Sequence, residues 1–145
     1  MDHVDIELAL QGGEVENGRR RYEPSSSLHG SARLTPHGTV DCRRVVVRLE
    51  WHTEGSGDRD RECADESQLV SGPLSEPMVQ PFTLAVPRQP WSYAGHHINI
   101  IWQVRVVVDI PLASDISSEE PIVVAPRRAD TLPTVPPRGY VPPDV

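Results

Sequence analysis

From Ile98 to Ile110 every even position is large and apolar: Ile98, Ile100, Trp102, Val104, Val106, Val108 and Ile110. Most odd positions in that run, Asn99, Gln103, Arg105 and Asp109, are polar. A period of two held this long predicts one β-strand well beyond the usual roughly five or six residues. It implies an elongated all-β body with one buried face and argues against a compact enzyme fold. Two apolar residues break the polar row, Ile101 and Val107. On the outward face they mark a place where a partner chain or the chain's own tail would cover the sheet.

The same alternation recurs earlier. Val4, Ile6, Leu8 and Leu10 predict a first strand that stops at Gly12-Gly13. Leu28, Gly30, Ala32 and Leu34 predict a second, ended by Pro36 and Gly38. Val45, Val47, Leu49 and Trp51 predict a third, ended near Glu54-Gly55-Ser56-Gly57. Phe82, Leu84 and Val86 form a shorter strand between Pro81 and Pro87, and Ile122–Val124 a last one between Pro121 and Pro126. Residues 61–66 are expected as a strand followed by a long polar loop to Pro77. Helical periodicity is nearly absent, and prolines punctuate the second half.

About seven strands with one-sided burial predict a two-sheet antiparallel, immunoglobulin-like β-sandwich over residues 1–126. Prolines are expected at strand ends, where a missing N–H costs least. Residues 127–145, PRRADTLPTVPPRGYVPPDV with its preceding proline, are proline-rich and read as an extended, polyproline-like tail.

Composition narrows the partners. The 145 residues carry a formal charge of −7, with a pI near 5.3, which disfavours nucleic acid. Every cationic residue is Arg, as in genomes of high GC content. No charged n-region with an apolar h-region opens the sequence, and no apolar run reaches membrane-spanning length. The expected setting is the cytoplasm, with Cys42 and Cys63 as free thiols and a disulfide between them as the alternative.

Candidate chemistry is sparse. His96, His97, His52, Cys42 and Cys63 are ligand types without metal-site spacing, and adjacent His96 and His97 point to opposite faces of a strand. Asp58, Asp60 and Glu62 beside glycines offer a calcium-binding or hairpin-tip reading. Neither cysteine lies in a nucleophile elbow. No catalytic, metal or cofactor residue is therefore assigned, and no cofactor is expected. Trp51 and Trp102 share the buried phase, whereas Trp91 lies in a proline loop and is expected at the surface as a protein-binding hot spot. Tyr93 is expected on the rim, bonding backbone through its hydroxyl as in a tyrosine corner. In the tail, Pro136, Pro137, Arg138, Tyr140, Pro142 and Pro143 suit docking on an aromatic groove or a sheet edge.

Three segments carry a family resemblance. Tyr22-Glu23-Pro24-Ser25-Ser26-Ser27-Leu28-His29-Gly30 is similar to an early turn-and-strand motif of the arrestin-like superfamily, with Ser25 where that motif has Gly. Trp51 through Asp60 resembles a hairpin of bacterial arrestin-like proteins. Pro81 through Gly95, with its Pro-Trp-Ser-Tyr-Ala-Gly close, resembles the segment that precedes that family's long strand. The superfamily includes arrestins, a retromer subunit and bacterial sporulation-control proteins. The resemblance spans about Val4 to Pro126, one N-terminal-type sandwich without the second that two-domain arrestins use. It implies a non-enzymatic adaptor or scaffold, a small subunit of a larger bacterial complex that binds protein through a sheet edge, loops or tail. The alternative is a carbohydrate- or calcium-binding module. Oligomeric state does not follow from any of these residues.

Overall fold

The computed structural model describes residues 3–55, 61–95 and 98–126. The described residues form strands β1 (Val4–Gln11), β2 (Glu14–Glu16), β3 (Arg19–Tyr22), β4 (Ser27–Pro36), β5 (Arg44–Gly55), β6 (Arg61–Ser71), β7 (Met78–Ala85), β8 (Tyr93–Ala94), β9 (Ile98–Asp109) and β10 (Ile116–Val124), with no helix. They make two sheets. The small one is ordered β1-β4-β7 and the large one β2-β3-β10-β9-β5-β6, with β8 also paired to β9. Every pairing is antiparallel except β3 with β10.

The long predicted strand is β9, central in the large sheet and paired with β5 from Ile98 opposite Gly55 to Asp109 opposite Arg44. Trp102, Val104, Val106 and Val108 point inward and are fully buried with Val45, Val47 and Leu49. The small sheet meets them with Leu28, Ala32, Leu34 and Leu84. Apolar side chains alternate inward from both layers, so one core lies between them. Trp102 is core as expected. Trp51 is half-buried beside it, the two ring systems 6.5 Å apart.

Gly30 has a specific packing role in β4. It lies opposite Leu10 of β1 and Phe82 of β7. A Cβ there would come 2.7 Å from the Phe82 ring and 2.9 Å from the Ala9 carbonyl oxygen. The ring occupies the space that a side chain would need.

Several elements differ from expectation. The strand after residue 60 runs to Ser71, so the expected long loop shrinks to residues 72–77. β6 lacks an apolar alternation because it is the edge of the large sheet, exposed over most of its length, and backbone pairing to β5 holds it instead. β10 starts at Ile116 and passes through Pro121. Prolines are thus not confined to strand ends. Pro121 faces β9 on one side, and β3 joins the other side only at Val123 and Val124, so its missing N–H breaks no ladder bond. Pro81 lies within the edge strand β7 for the same reason.

The β2–β3 hairpin went unpredicted, although its turn is Asn17-Gly18 with φ of 51° and 80°. Asn-Gly between short strands is a strong hairpin signal. β2 and β3 carry charges where a strand normally carries an apolar face, so the pair has no alternating apolar signature.

Candidate functional site

Two ends of the sandwich hold the groups that can make contacts. The first is built on the loop between β7 and β8. Gln89-Pro90 is a cis peptide bond. The Trp102 indole donates from the core to the Pro90 carbonyl at 3.2 Å, and the Trp91 indole donates to the Arg88 carbonyl at 3.1 Å. Ser92 fastens the loop to β10. Its amide donates to the Val124 carbonyl at 2.7 Å, and its hydroxyl accepts from the Val124 amide at 2.9 Å. β8 then pairs with the start of β9, and the Gly95 amide donates to the Ile98 carbonyl and the Asn99 side chain.

This backbone displays apolar side chains. Trp91, Tyr93 and Ile98 are 45%, 56% and 45% exposed. Tyr93 lies opposite Ile100 on the β8–β9 ladder, so its side chain shares a face with Ile100 and Ile98. Along β9, Trp102 is buried, Ile100 is half-buried and Ile98 is exposed. The inward stripe of β9 therefore continues past the cover of the small sheet.

Trp91 is at the surface as its proline loop suggests. Tyr93 does not act as a tyrosine corner, because its hydroxyl has no backbone partner among the described residues and its ring lies over Gly95. Tyr22 takes that role. Its ring is buried, and its hydroxyl donates to the Gln11 carbonyl at 2.9 Å. Burial pushes its phenol pKa up, Glu120 adds to the shift, and Arg20 opposes it.

Beside Tyr22, the buried Arg21 gathers the hairpin. It donates to Glu14 at 2.6 Å, Glu16 at 3.2 Å and the Ala125 carbonyl at 3.1 Å, with Glu23 at 3.6 Å. Sequence reasoning passed over Arg21 because its partners come from three separate segments.

Ile101 and Val107 lie on the outer face of the large sheet, outside the main core cluster. Val107 is 6% exposed. It lies between Val46 of β5 and Ser117 of β10, with Arg105 and Asp109 beside it on the same face. Ile101 is half-buried opposite His52. The centre of this face is closed by the chain's own network. Buried Glu50 accepts from Gln103 at 3.1 Å, with Arg105 at 3.5 Å, Arg48 at 3.7 Å and Arg61 at 3.8 Å.

The cysteines are free. Cys42 donates to the Gly72 carbonyl and Cys63 to the Asp65 carbonyl, each at 3.3 Å, and burial pushes both thiol pKa values up. A nucleophilic cysteine needs the opposite shift. His52 bonds Glu54 at 3.0 Å. The tail candidates Pro136, Pro137, Arg138, Tyr140, Pro142 and Pro143 lie outside the described residues, as do Asp58, Asp60, His96 and His97.

At the second end, His3, Asp5 and His37 converge, their ligand atoms all within 4.8 Å of one another. Sequence reasoning did not group them, because His37 reaches His3 only through the β1–β4 register. No helix of the described residues is long and apolar enough to cross a membrane.

No family model and no curated protein sequence matches the chain. Among solved structures it is similar to Spo0M, a sporulation control protein from Bacillus subtilis, with a TM-score of 0.64 and 16% sequence identity. The match covers 86% of this chain and 50% of that one, so the chain spans half the length of Spo0M. A likeness at this identity is one of fold. Together with the two mostly antiparallel sheets, it makes the described residues an arrestin-like β-sandwich.

Proposed function

We propose that this chain is a non-enzymatic adaptor or scaffold of the bacterial cytoplasm, a small subunit of a larger assembly that engages another protein through the end bearing Trp91, Tyr93 and Ile98. The observation that carries this reading is the pairing of exposed apolar side chains with a backbone pinned from the core. Aromatic anchors on a rigid frame lose little freedom on binding, which is what a hot spot requires.

The sheet edges serve this role less well. The register of β6 on β5 shifts twice, and β6 carries Glu62, Asp65 and Glu66. Charges and irregularities of this kind blunt edge pairing. Asp65 also accepts the Ala85 amide at 2.7 Å, which uses a donor at the end of β7. Thiols held protonated by burial fit a chain that does no nucleophilic chemistry.

Site-specific photo-crosslinking in the native host tests this. A photoreactive side chain is placed in turn at Trp91, at Ala64 on the β6 edge and at Val79 on the small sheet. The expected result is one discrete heavier species from position 91, absent from 64 and 79. Crosslinks only from 64 would move the interface to the edge, and none from 91 would remove the aromatic end from consideration.

A further inference from the structure

At the end opposite Trp91 the β1–β4 ladder closes with Val4 opposite Pro36. The His37 amide then donates to the His3 carbonyl at 2.9 Å. This bond sets the two imidazoles side by side, their centroids 4.8 Å apart. Asp5, two residues along β1, projects to the same side. Its oxygens are divided between them, Oδ1 at 2.8 Å from His3 Nε2 and Oδ2 at 2.8 Å from His37 Nε2.

We propose that His3, Asp5 and His37 form a binding site for a divalent transition-metal ion of the zinc type, held by the two Nε2 atoms and one Asp5 oxygen.

The donor set selects the ion. Imidazole nitrogens with a carboxylate suit Zn²⁺, Co²⁺ and Ni²⁺, whereas Ca²⁺ and Mg²⁺ prefer oxygen alone. Ligand bonds of about 2.0–2.2 Å around zinc put neighbouring donors roughly 3.0–3.4 Å apart. The two 2.8 Å contacts, one to each Asp5 oxygen, open on binding, and the ligand atoms, now within 4.8 Å of one another, draw in around the ion by side-chain rotation. All three side chains are more than half exposed, so the adjustment meets no packed neighbour, and water can fill the remaining positions. On binding, each imidazole carries its proton on Nδ1 and presents the Nε2 lone pair.

Asp5 comes from β1, His3 from the residue just before it and His37 from the connection that follows β4, so the unfolded chain has no such cluster. A bound ion therefore ties the edge strand β1 to the body and adds stability in proportion to its occupancy. The site lies at the other end of the sandwich from Trp91 and does not depend on the proposed protein partner.

Calorimetric titration of the full chain with ZnCl₂, paired with thermal unfolding, is the test. The expected result is one ion per chain and a rise in Tm with zinc. His37→Ala and Asp5→Asn should each weaken binding by at least about tenfold. His29→Ala and the double change His96→Ala/His97→Ala should leave it intact. Cobalt should give a visible absorption band that His37→Ala abolishes. Absence of any Tm rise would reduce the cluster to a hydrogen-bonded triad and overturn the proposal. Binding that Asp5→Asn leaves unchanged, or that only the His96/His97 variant removes, would overturn it equally. Metal-free unfolding curves of the variants show whether each remains folded.

Discussion

The two ends of this sandwich are held by different means and offer different surfaces. At the Trp91 end, a loop rich in proline is fastened by groups reaching out of the core, the Trp102 indole and the backbone of Val124. The apolar residues Trp91, Tyr93 and Ile98 are left in solvent. At the His37 end no core side chain of the described residues bonds to the triad. The β1–β4 register alone sets three polar side chains within bonding distance. The first arrangement fixes a backbone and displays apolar area. The second fixes side chains on each other and displays ligand atoms. One frame thus presents two surfaces that can be lost separately or together.

The strand that spans both ends is β4, from Ser27 near the Pro87 loop to Pro36 beside His37. The largest expected effect is therefore Gly30→Ala. The added methyl meets both the Phe82 ring and the backbone oxygen of Ala9, so the ring and the strand must both move. Overpacking of this kind costs about 3 kcal/mol. Urea unfolding should show that loss, and hydrogen exchange should rise at the His37 and Ser92 amides alike. Adding Phe82→Leu should recover part of the stability. A variant that loosens only one end would show that the small sheet does not couple them.

Replacing Tyr22 should act at one end only. Tyr22→Phe removes the hydrogen bond to Gln11 and should cost about 1 kcal/mol. It also carries a pH signature. The phenol pKa is raised in the folded state, chiefly by burial, so the folded chain binds that proton more tightly than the unfolded chain. The stabilisation is complete below the ordinary tyrosine pKa of about 10 and is lost as pH climbs through the higher folded value. The stability difference between wild type and Tyr22→Phe should thus shrink above about pH 10. A difference constant from pH 8 to 11 would mean that Tyr22 ionises freely. Exchange at the His37 amide should stay unchanged.

The contrast between the ends also explains what could be read from sequence. β9, β5, β4 and β1 were legible because each turns an apolar row into the core, and such a row imposes a period of two. The Trp91 loop was legible because Pro87, Pro90, Trp91 and Ser92 lie close together in one stretch of the sequence. The second half of β6 and most of β10 were not, since they are edge or near-edge segments whose Ser, Glu and Gln residues are held by backbone pairing. The exchange of roles between Tyr93 and Tyr22 was hidden for a related reason. Which hydroxyl finds a carbonyl depends on how β3 lies beside β10, and that parallel pairing has no local signal. His3 and His37 are brought together by register as well. A one-residue slip of β1 would turn Asp5 to the other face.

The smallest expected effect concerns the turn that supports the Trp91 end. Ser25 follows Pro24 with φ of 64°, in the left-handed region. Pro followed by a residue of positive φ is the pattern of a type II turn, which favours Gly at the second central position. The resemblance to arrestin-like motifs also has Gly there. The turn bears on the loop, because the Ser25 amide donates to the Pro87 carbonyl and the Val86 amide to Ser26. Ser25→Gly removes the steric cost of a side chain at positive φ, about 1 kcal/mol, and adds back some backbone entropy to the unfolded chain. The net expectation is a gain of about 0.5 kcal/mol in urea unfolding, with the Trp91 end tightened and zinc affinity unchanged. A loss of stability would mean that the Ser25 side chain holds the turn by more than its backbone strain costs. A change in zinc affinity would mean that the two ends are coupled through β4 even where no packing is disturbed.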